Sequence, residues 1–534
     1  MSLDEDVLRS ARITVKSGAT LAVGRIISTL VSFVTVIFVI RFLGEEQYGL
    51  YGLALVPISM IMVFRDWGVP SALTKYIAEF KAKNNLYEAR KLIVSALFFV
   101  IFTGTLLAIV TSILAMPIAV FYRKPEVAPL IKVVSLVLLA EAIYRVAWSV
   151  FLGLEDTKYN VAMLVLFSTI KGGLALFLVL LGYGVLGAII GYVVGYFASA
   201  ILGIIFVPKK ISKYKKEYSK GSFVADRGLS WGSALGILLG FGLPLAISRT
   251  ITGFGNQFYS FLAGRYCSKW DFGNYGAATT LLTPLPVLTL PISAVMFPAY
   301  SKIDGIKENK LLGSVFKLSV KYVSLLIVPT AALIMGLSES LNSVVFGGGF
   351  PDAPLYLTLL ASIYLYTVIG YLNVGSLLTG QGFTKIVLIT NLIGLSVGIP
   401  VSLLIIPLLG IVGLIITNIV VTTVVVVSNL IFVRKKFGFS IEWEYSVKIL
   451  LSGVSAGFVA YLLQKWINSY PIVELVLGGL IGLGVYVLLV LVSGALTMKD
   501  IHNLKIIFGG IRPLKRVLKP YAKKIEGILE KIVD

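Results

Sequence analysis

The chain of 534 residues has one cysteine, Cys267, one histidine, His502, and only 14% charged residues. A lone cysteine closes no intrachain disulfide, and a lone histidine supports neither a Cys/His zinc cluster nor a histidine-based triad. No Gly-rich loop ends in Gly-Lys-Ser/Thr, so the sequence shows no nucleotide-hydrolysing P-loop. Asp4, Glu5 and Asp6 stand where a cleavable signal peptide would be basic. Their spacing resembles a metal-binding motif, but they sit in a charged tail and read as a solvated terminus; no metal and no cofactor are expected. The abundant material is apolar, at 57% hydrophobic residues and a mean hydropathy of +0.93. That composition places the chain in the polytopic membrane class, where ~20 apolar residues make one crossing.

Fourteen hydrophobic segments lie between residues 17 and 496. Alternate connections (1–16, 75–91, 152–158, 208–228, 301–317, 380–385, 434–445 and 497–534) hold 33 of the 47 lysines and arginines, and the other set holds 6. By the positive-inside rule, both termini are expected in the cytoplasm and the chain in the cell membrane. The net charge of +21 is then a topology signal with some contact to anionic lipid, and nucleic acid is not an expected partner. The connections are too short for a soluble catalytic domain, so an enzyme is not expected. Cys267 falls in 264–272, on the expected outer side, where an impermeant maleimide should reach it.

An internal repeat is legible. Gln47-Tyr48-Gly49-Leu50-Tyr51-Gly52 aligns with Asp271-Phe272-Gly273-Asn274-Tyr275-Gly276 at an offset of 224. Gly153 and Thr157-Lys158 align with Gly380 and Thr384-Lys385 at 227, and Tyr183-Gly184 through Ile190 with Leu409-Gly410 through Ile416 at 226. Duplication keeps one period. The expected organisation is an all-α protein of fourteen transmembrane helices. An N-lobe (1–207) and a C-lobe (229–433) of six helices each are joined by a basic linker (208–228), then come two helices (434–496) and a basic amphipathic tail (497–534). Six is even, so the lobes share one orientation, with a pseudo-two-fold axis along the membrane normal and cargo between them.

Arg41-Phe42-Leu43-Gly44, Tyr48-Gly49-Leu50-Tyr51, Asp66-Trp67-Gly68 and Ala72 through Glu79 resemble the polysaccharide transporter, or Wzx-like, branch of the multidrug/oligosaccharidyl-lipid/polysaccharide exporter superfamily. Asp271-Phe272-Gly273-Asn274-Tyr275, Pro291-Ile292 and Phe297-Pro298-Ala299 carry the same resemblance. It covers about residues 8–433. It implies a flippase that moves polyprenyl- or dolichyl-(pyro)phosphate-linked glycan from the cytoplasmic to the outer leaflet by alternating access. It also implies membrane lipids and glycan assembly enzymes as partners; a monomer is the expected working unit.

Charges inside apolar segments are costly and should line a wet cavity or pair. Lys132, Lys321 and Lys448 are near helix ends and are expected to snorkel. Arg25, Arg65, Arg145, Lys171 and Arg249 remain, against Asp66 and Glu141. Glu141 and Arg145, at i,i+4, are expected to pair. Arg65 and Asp66 are adjacent and would diverge by ~100° on a helix. Arg25 and Arg249 differ by the repeat offset of 224, so they are expected to face each other across the cleft and grip pyrophosphate with their planar forks. In the resembled family, peptidoglycan-precursor flippases likewise carry cavity arginines on helices 1 and 7. Arg65 and Lys171 are further cargo candidates, Lys171 equally a partner for Asp66 or Glu141. Asp66 and Glu141 are candidates for proton or sodium coupling. Helices 1, 2, 7 and 8, rich in proline and glycine, are expected to move. The rival readings are a multidrug cation antiporter of the same superfamily, which should carry buried carboxylates instead, and a non-transporting component of a polysaccharide assembly complex.

Overall fold

A computed structural model describes residues 3–65, 67–83, 86–218, 230–305, 307–467, 469–497 and 500, with no strand among them. Eight of its helices are long and apolar enough to cross a membrane. Three of these, over 17–62, 157–212 and 384–437, run 46, 56 and 54 residues. At ~1.5 Å per residue they would reach ~70–85 Å, over twice a ~30 Å hydrocarbon core. Each is a pair of crossings joined where glycine leaves helical geometry: at Gly44, at Gly182 and Gly184, and at Gly410.

The helical units in chain order are α1 (3–43), α2 (45–82, interrupted at 63–68), α3 (Leu86–Tyr122), α4 (Val127–Gly153), α5 (157–183), α6 (Gly184–Tyr218) and α7 (Trp231–Tyr266). They continue with α8 (269–302, stepping at Thr283 before Pro284), α9 (Asn309–Gly336), α10 (353–380, bent by 50°), α11 (384–409), α12 (410–437), α13 (Trp443–Ile467) and α14 (Pro471–Val492). A short helix, Ser338–Phe346, links α9 to α10. The all-α architecture is as expected. The 208–228 segment differs: α6 continues through Pro208 to Tyr218, and 219–229 lie outside the described residues. So do Asp66, His502 and the tail beyond Asp500.

Connections of one charge class meet at one end. Lys269 pairs with Glu46 (3.5 Å) and Glu126 (3.9 Å), Arg265 donates to the Phe121 carbonyl (2.8 Å), and Lys465 pairs with Glu339 (2.8 Å). At the opposite, basic end Lys81 pairs with Glu155 (2.8 Å), Lys210 with Asp156, and Lys317 with Glu442 (3.3 Å).

The repeat is visible in contacts. At the lysine-poor end α2 and α8 touch backbone to backbone: a Cβ on Gly49 would strike the Lys269 carbonyl, and one on Gly273 the Glu45 carbonyl. Gly276 faces the Tyr48 ring and Gly52 the Phe272 ring. Each pair maps onto the other under the 224 offset, as a self-complementary two-fold contact requires. Gly184 and Gly410 share nearly one conformation (φ/ψ 52/−135° and 57/−129°), outside the reach of residues with a Cβ. The largest core crosses both sequence halves, packing Ile40, Leu53 and Ile131 with Tyr259, Phe272 and Leu414.

Two sequence expectations are overturned here. Lys321 does not snorkel: it is buried, its ammonium 2.6 Å from Asp500 and 3.8 Å from the Tyr445 ring centre. The connection after α14 folds back onto α9 and supplies the counter-charge, which no helical spacing reveals. Cys267 is 2% exposed, and burial pushes its thiol up to about 12. Its being in a loop does not make it reachable, because it packs beside Gly410. Lys448 pairs with Glu444 (2.6 Å), and Lys132 is exposed.

Candidate functional site

The site starts from a local failure of helix in α2. Pro70 donates no backbone hydrogen bond, and Gly68 (φ 73°) and Trp67 (φ 46°) take left-handed angles, so helix ends at Met62 and resumes at Val69. The freed Val63 carbonyl accepts a hydrogen bond from Thr250 of α7 (3.0 Å), and the backbones of Gly68 and Gly242 touch beside it. The ~100° divergence of neighbours on a helix does not apply to Arg65, which lies in the break, and Asp66 is outside the described residues.

Arg65 is 1% exposed and donates to Glu141 Oε2 at 2.9 Å. Arg145 Nε donates to Oε1 of the same carboxylate, also at 2.9 Å. The i,i+4 pair is present, and Arg65 joins it from another helix. Arg65, a cargo candidate by sequence, is bound to a carboxylate, because the break in α2 turns it onto α4. Arg145 has a half-exposed side chain. Both arginines line a cavity of about 380 Å³ with Trp67, Ser71, Trp148 and Ala246, the last from α7. Glu141, Tyr144, Arg145 and Trp148 recur at i, i+3, i+4 and i+7, one helical face, a pattern legible in the sequence.

Beyond this cavity stands an aromatic cluster. Tyr196 contacts Tyr144 (5.7 Å between ring centres), Phe167 (4.2 Å) and Tyr192 (5.3 Å). Lys171 lies on its far side, 5.2 Å from the Tyr192 ring centre and 5.8 Å from Phe167. With Glu141 held by two arginines, Lys171 does not pair with it. Arg25 is an exposed residue of α1. The Arg249 side chain is outside the described residues; its helix passes the α2 break, with Thr250 and Gly253 against Val63. The pairing of Arg25 with Arg249 therefore stays an expectation. Among the described charges around the cavity, cations outnumber carboxylates, which suits an anion.

A lobe-bridging core, a broken helix at the inter-lobe cleft and a cation-lined cavity define a two-halved membrane transporter fold. The sequence profile for polysaccharide biosynthesis proteins matches residues 14–304, and the chain belongs to this family, within the multidrug/oligosaccharidyl-lipid/polysaccharide exporter superfamily. It is 23% identical to stage V sporulation protein B of Bacillus subtilis (strain 168), over 90% of this chain and 95% of that one. It is 22% identical to the succinoglycan biosynthesis transport protein ExoT of Rhizobium meliloti (strain 1021), over 62% of each. Its fold resembles the inward closed lipid II flippase MurJ, with a TM-score of 0.68, 15% identity, and coverage of 88% of this chain and 97% of that one. It also resembles an inward-facing multidrug resistance MATE transporter, with a TM-score of 0.59, 16% identity, and coverage of 77% and 94%.

Proposed function

We propose that the protein flips a polyprenyl- or dolichyl-(pyro)phosphate-linked glycan from the cytoplasmic to the outer leaflet by alternating access. The observation that carries this reading is the inter-lobe cavity at the α2 break, where two arginines share one carboxylate. An anionic head fits that balance; an organic cation does not. The isoprenoid tail would remain in lipid, and the basic end would face the cytoplasm. A negative interior then favours export by ~2.3 kcal/mol per charge per 100 mV. Arg25 and Arg249 are the proposed second pair of phosphate contacts. Glu141, already bridging two arginines, is the proposed point at which a proton could be exchanged for cargo. The family and the ExoT relative support a polysaccharide cargo.

The test is flipping of a fluorescent, short-glycan polyprenyl pyrophosphate in proteoliposomes, read by quenching of the outer leaflet. Wild-type protein should flip it, and Arg145→Ala should slow flipping about tenfold or more, since a charge-assisted contact contributes ~1.5–3 kcal/mol. No flipping above protein-free vesicles, with an organic cation moved instead, would replace this reading with the antiporter.

A further inference from the structure

A second cavity, of about 350 Å³, has apolar walls that include Phe33, Val36 and Leu55, and its polar groups come from Ser32 of α1, Tyr48 and Tyr51 of α2, Lys171 of α5, Tyr192 of α6, and Thr280 and Thr283 of α8. It shares no lining residue with the cavity at Arg65 and Arg145. Along their helices, Lys171 lies 14 residues from the basic end of α5 and Arg145 lies 8 from the basic end of α4. At ~1.5 Å per residue the two cations differ in depth by ~9 Å, with Lys171 nearer the lysine-poor end. The cluster of Tyr144, Tyr196, Phe167 and Tyr192 fills the interval.

Lys171 has no carboxylate partner among the described residues. Two ring faces offset part of the cost of its charge but do not neutralise it. The other polar groups of the cavity are hydroxyls, and none carries a negative charge; Ser32 and Tyr51 can donate to an oxygen acceptor, while Thr280 and Thr283 donate to the carbonyls of Gly276 (2.8 Å) and Thr279 (3.4 Å). Such a set is complementary to a phosphate.

We propose that this cavity is a second anion station, which receives the phosphate head after it leaves the two arginines. The proposal rests on the flippase reading and extends it to a path with two stops. Its walls come from both sequence halves: Tyr48 of α2 and Thr280 of α8 lie 3.5 Å apart, beside the Gly49–Gly273 contact. The station is therefore complete only while the lysine-poor end is shut, and parting α2 from α8 dismantles it and frees the head on that side.

The experiment uses full-length protein and the fluorescent polyprenyl pyrophosphate, with binding in detergent and flipping in proteoliposomes read separately. Lys171→Met should keep binding within about twofold and slow flipping about tenfold, the loss expected for one charge-assisted contact. Its melting temperature should hold or rise, because the lysine removed is a partly buried charge with no carboxylate among the described residues. Lys171→Arg should restore flipping, and Tyr51→Phe should slow flipping in the same direction as the methionine variant. Three results would each overturn the station: wild-type flipping by Lys171→Met, loss of binding as deep as in Arg145→Ala, or slow flipping accounted for by lowered stability and not rescued by arginine. Inorganic pyrophosphate should inhibit far less than unlabelled lipid-linked pyrophosphate; equal inhibition would make the occupant a free anion. Failure of the wild type to flip the probe at all would sink the flippase reading, and the station with it.

Discussion

Glu141 shows how one residue sets a local charge balance. Replacing it with glutamine leaves Arg65 at 1% exposure without its carboxylate. Breaking a buried pair from one side costs ~3–5 kcal/mol, so Glu141→Gln should lower stability well beyond Arg145→Ala, whose side chain is half exposed. Thermal unfolding in one detergent checks the order. Lys321 and Asp500 make the same point with a pH sign. Burial pushes the Asp500 carboxyl up, but hydrogen bonds from Lys321 and Thr497 outweigh it and hold the carboxyl below its ordinary value. Its contribution is thus present above the ordinary carboxylate value and is lost as pH falls through the depressed one. Asp500→Asn should destabilise at neutral pH and flatten that acid dependence, as a melting series across the carboxylate range would show. Cys267 should resist maleimide in folded protein on either side of the membrane and react after denaturation in detergent. Sidedness is better read from Tyr266→Cys in a Cys267→Ser background, since Tyr266 is half exposed.

Among elements, the α2–α8 contact governs the lysine-poor end. Gly49→Ala and Gly273→Ala push on symmetry-related halves of one interface, so either should part the helices, and the double substitution should cost less than the sum. The break in α2 answers to α7 instead: Thr250→Val removes the hydrogen bond to the Val63 carbonyl and should cost ~1 kcal/mol of stability.

At the scale of the molecule, one core runs through both halves, so rocking of one half on the other must shear a packed interface and not a wet cleft. The pseudo-symmetric glycine contact is shut at one end while two cation-lined cavities sit deeper. If Arg25 and Arg249 hold one pyrophosphate, either alanine variant should cut flipping about tenfold and the double should be sub-additive, with Arg→Lys rescuing in part because a point charge lacks the bidentate fork. Equal flipping by both single variants would return them to packing roles. Imposing a negative interior potential on proteoliposomes should speed export of an anionic cargo; no response would mean that no net charge crosses.

The membrane class, the all-α architecture and the 224-residue offset were legible in the sequence, because apolar length and a fixed period are properties of order along the chain. The sequence by itself also determined the Glu141–Arg145 pair, which needs only helical periodicity. Tertiary structure alone decided that Arg65 shares that carboxylate, that Asp500 neutralises Lys321, that Cys267 is sealed off, and that Tyr48 and Thr280 wall one cavity with Lys171. Each of these joins residues more than seventy positions apart or depends on packing from another helix. Periodicity carries no information about contacts at that range; only the close approach of helices, permitted where glycine lacks a Cβ, sets them.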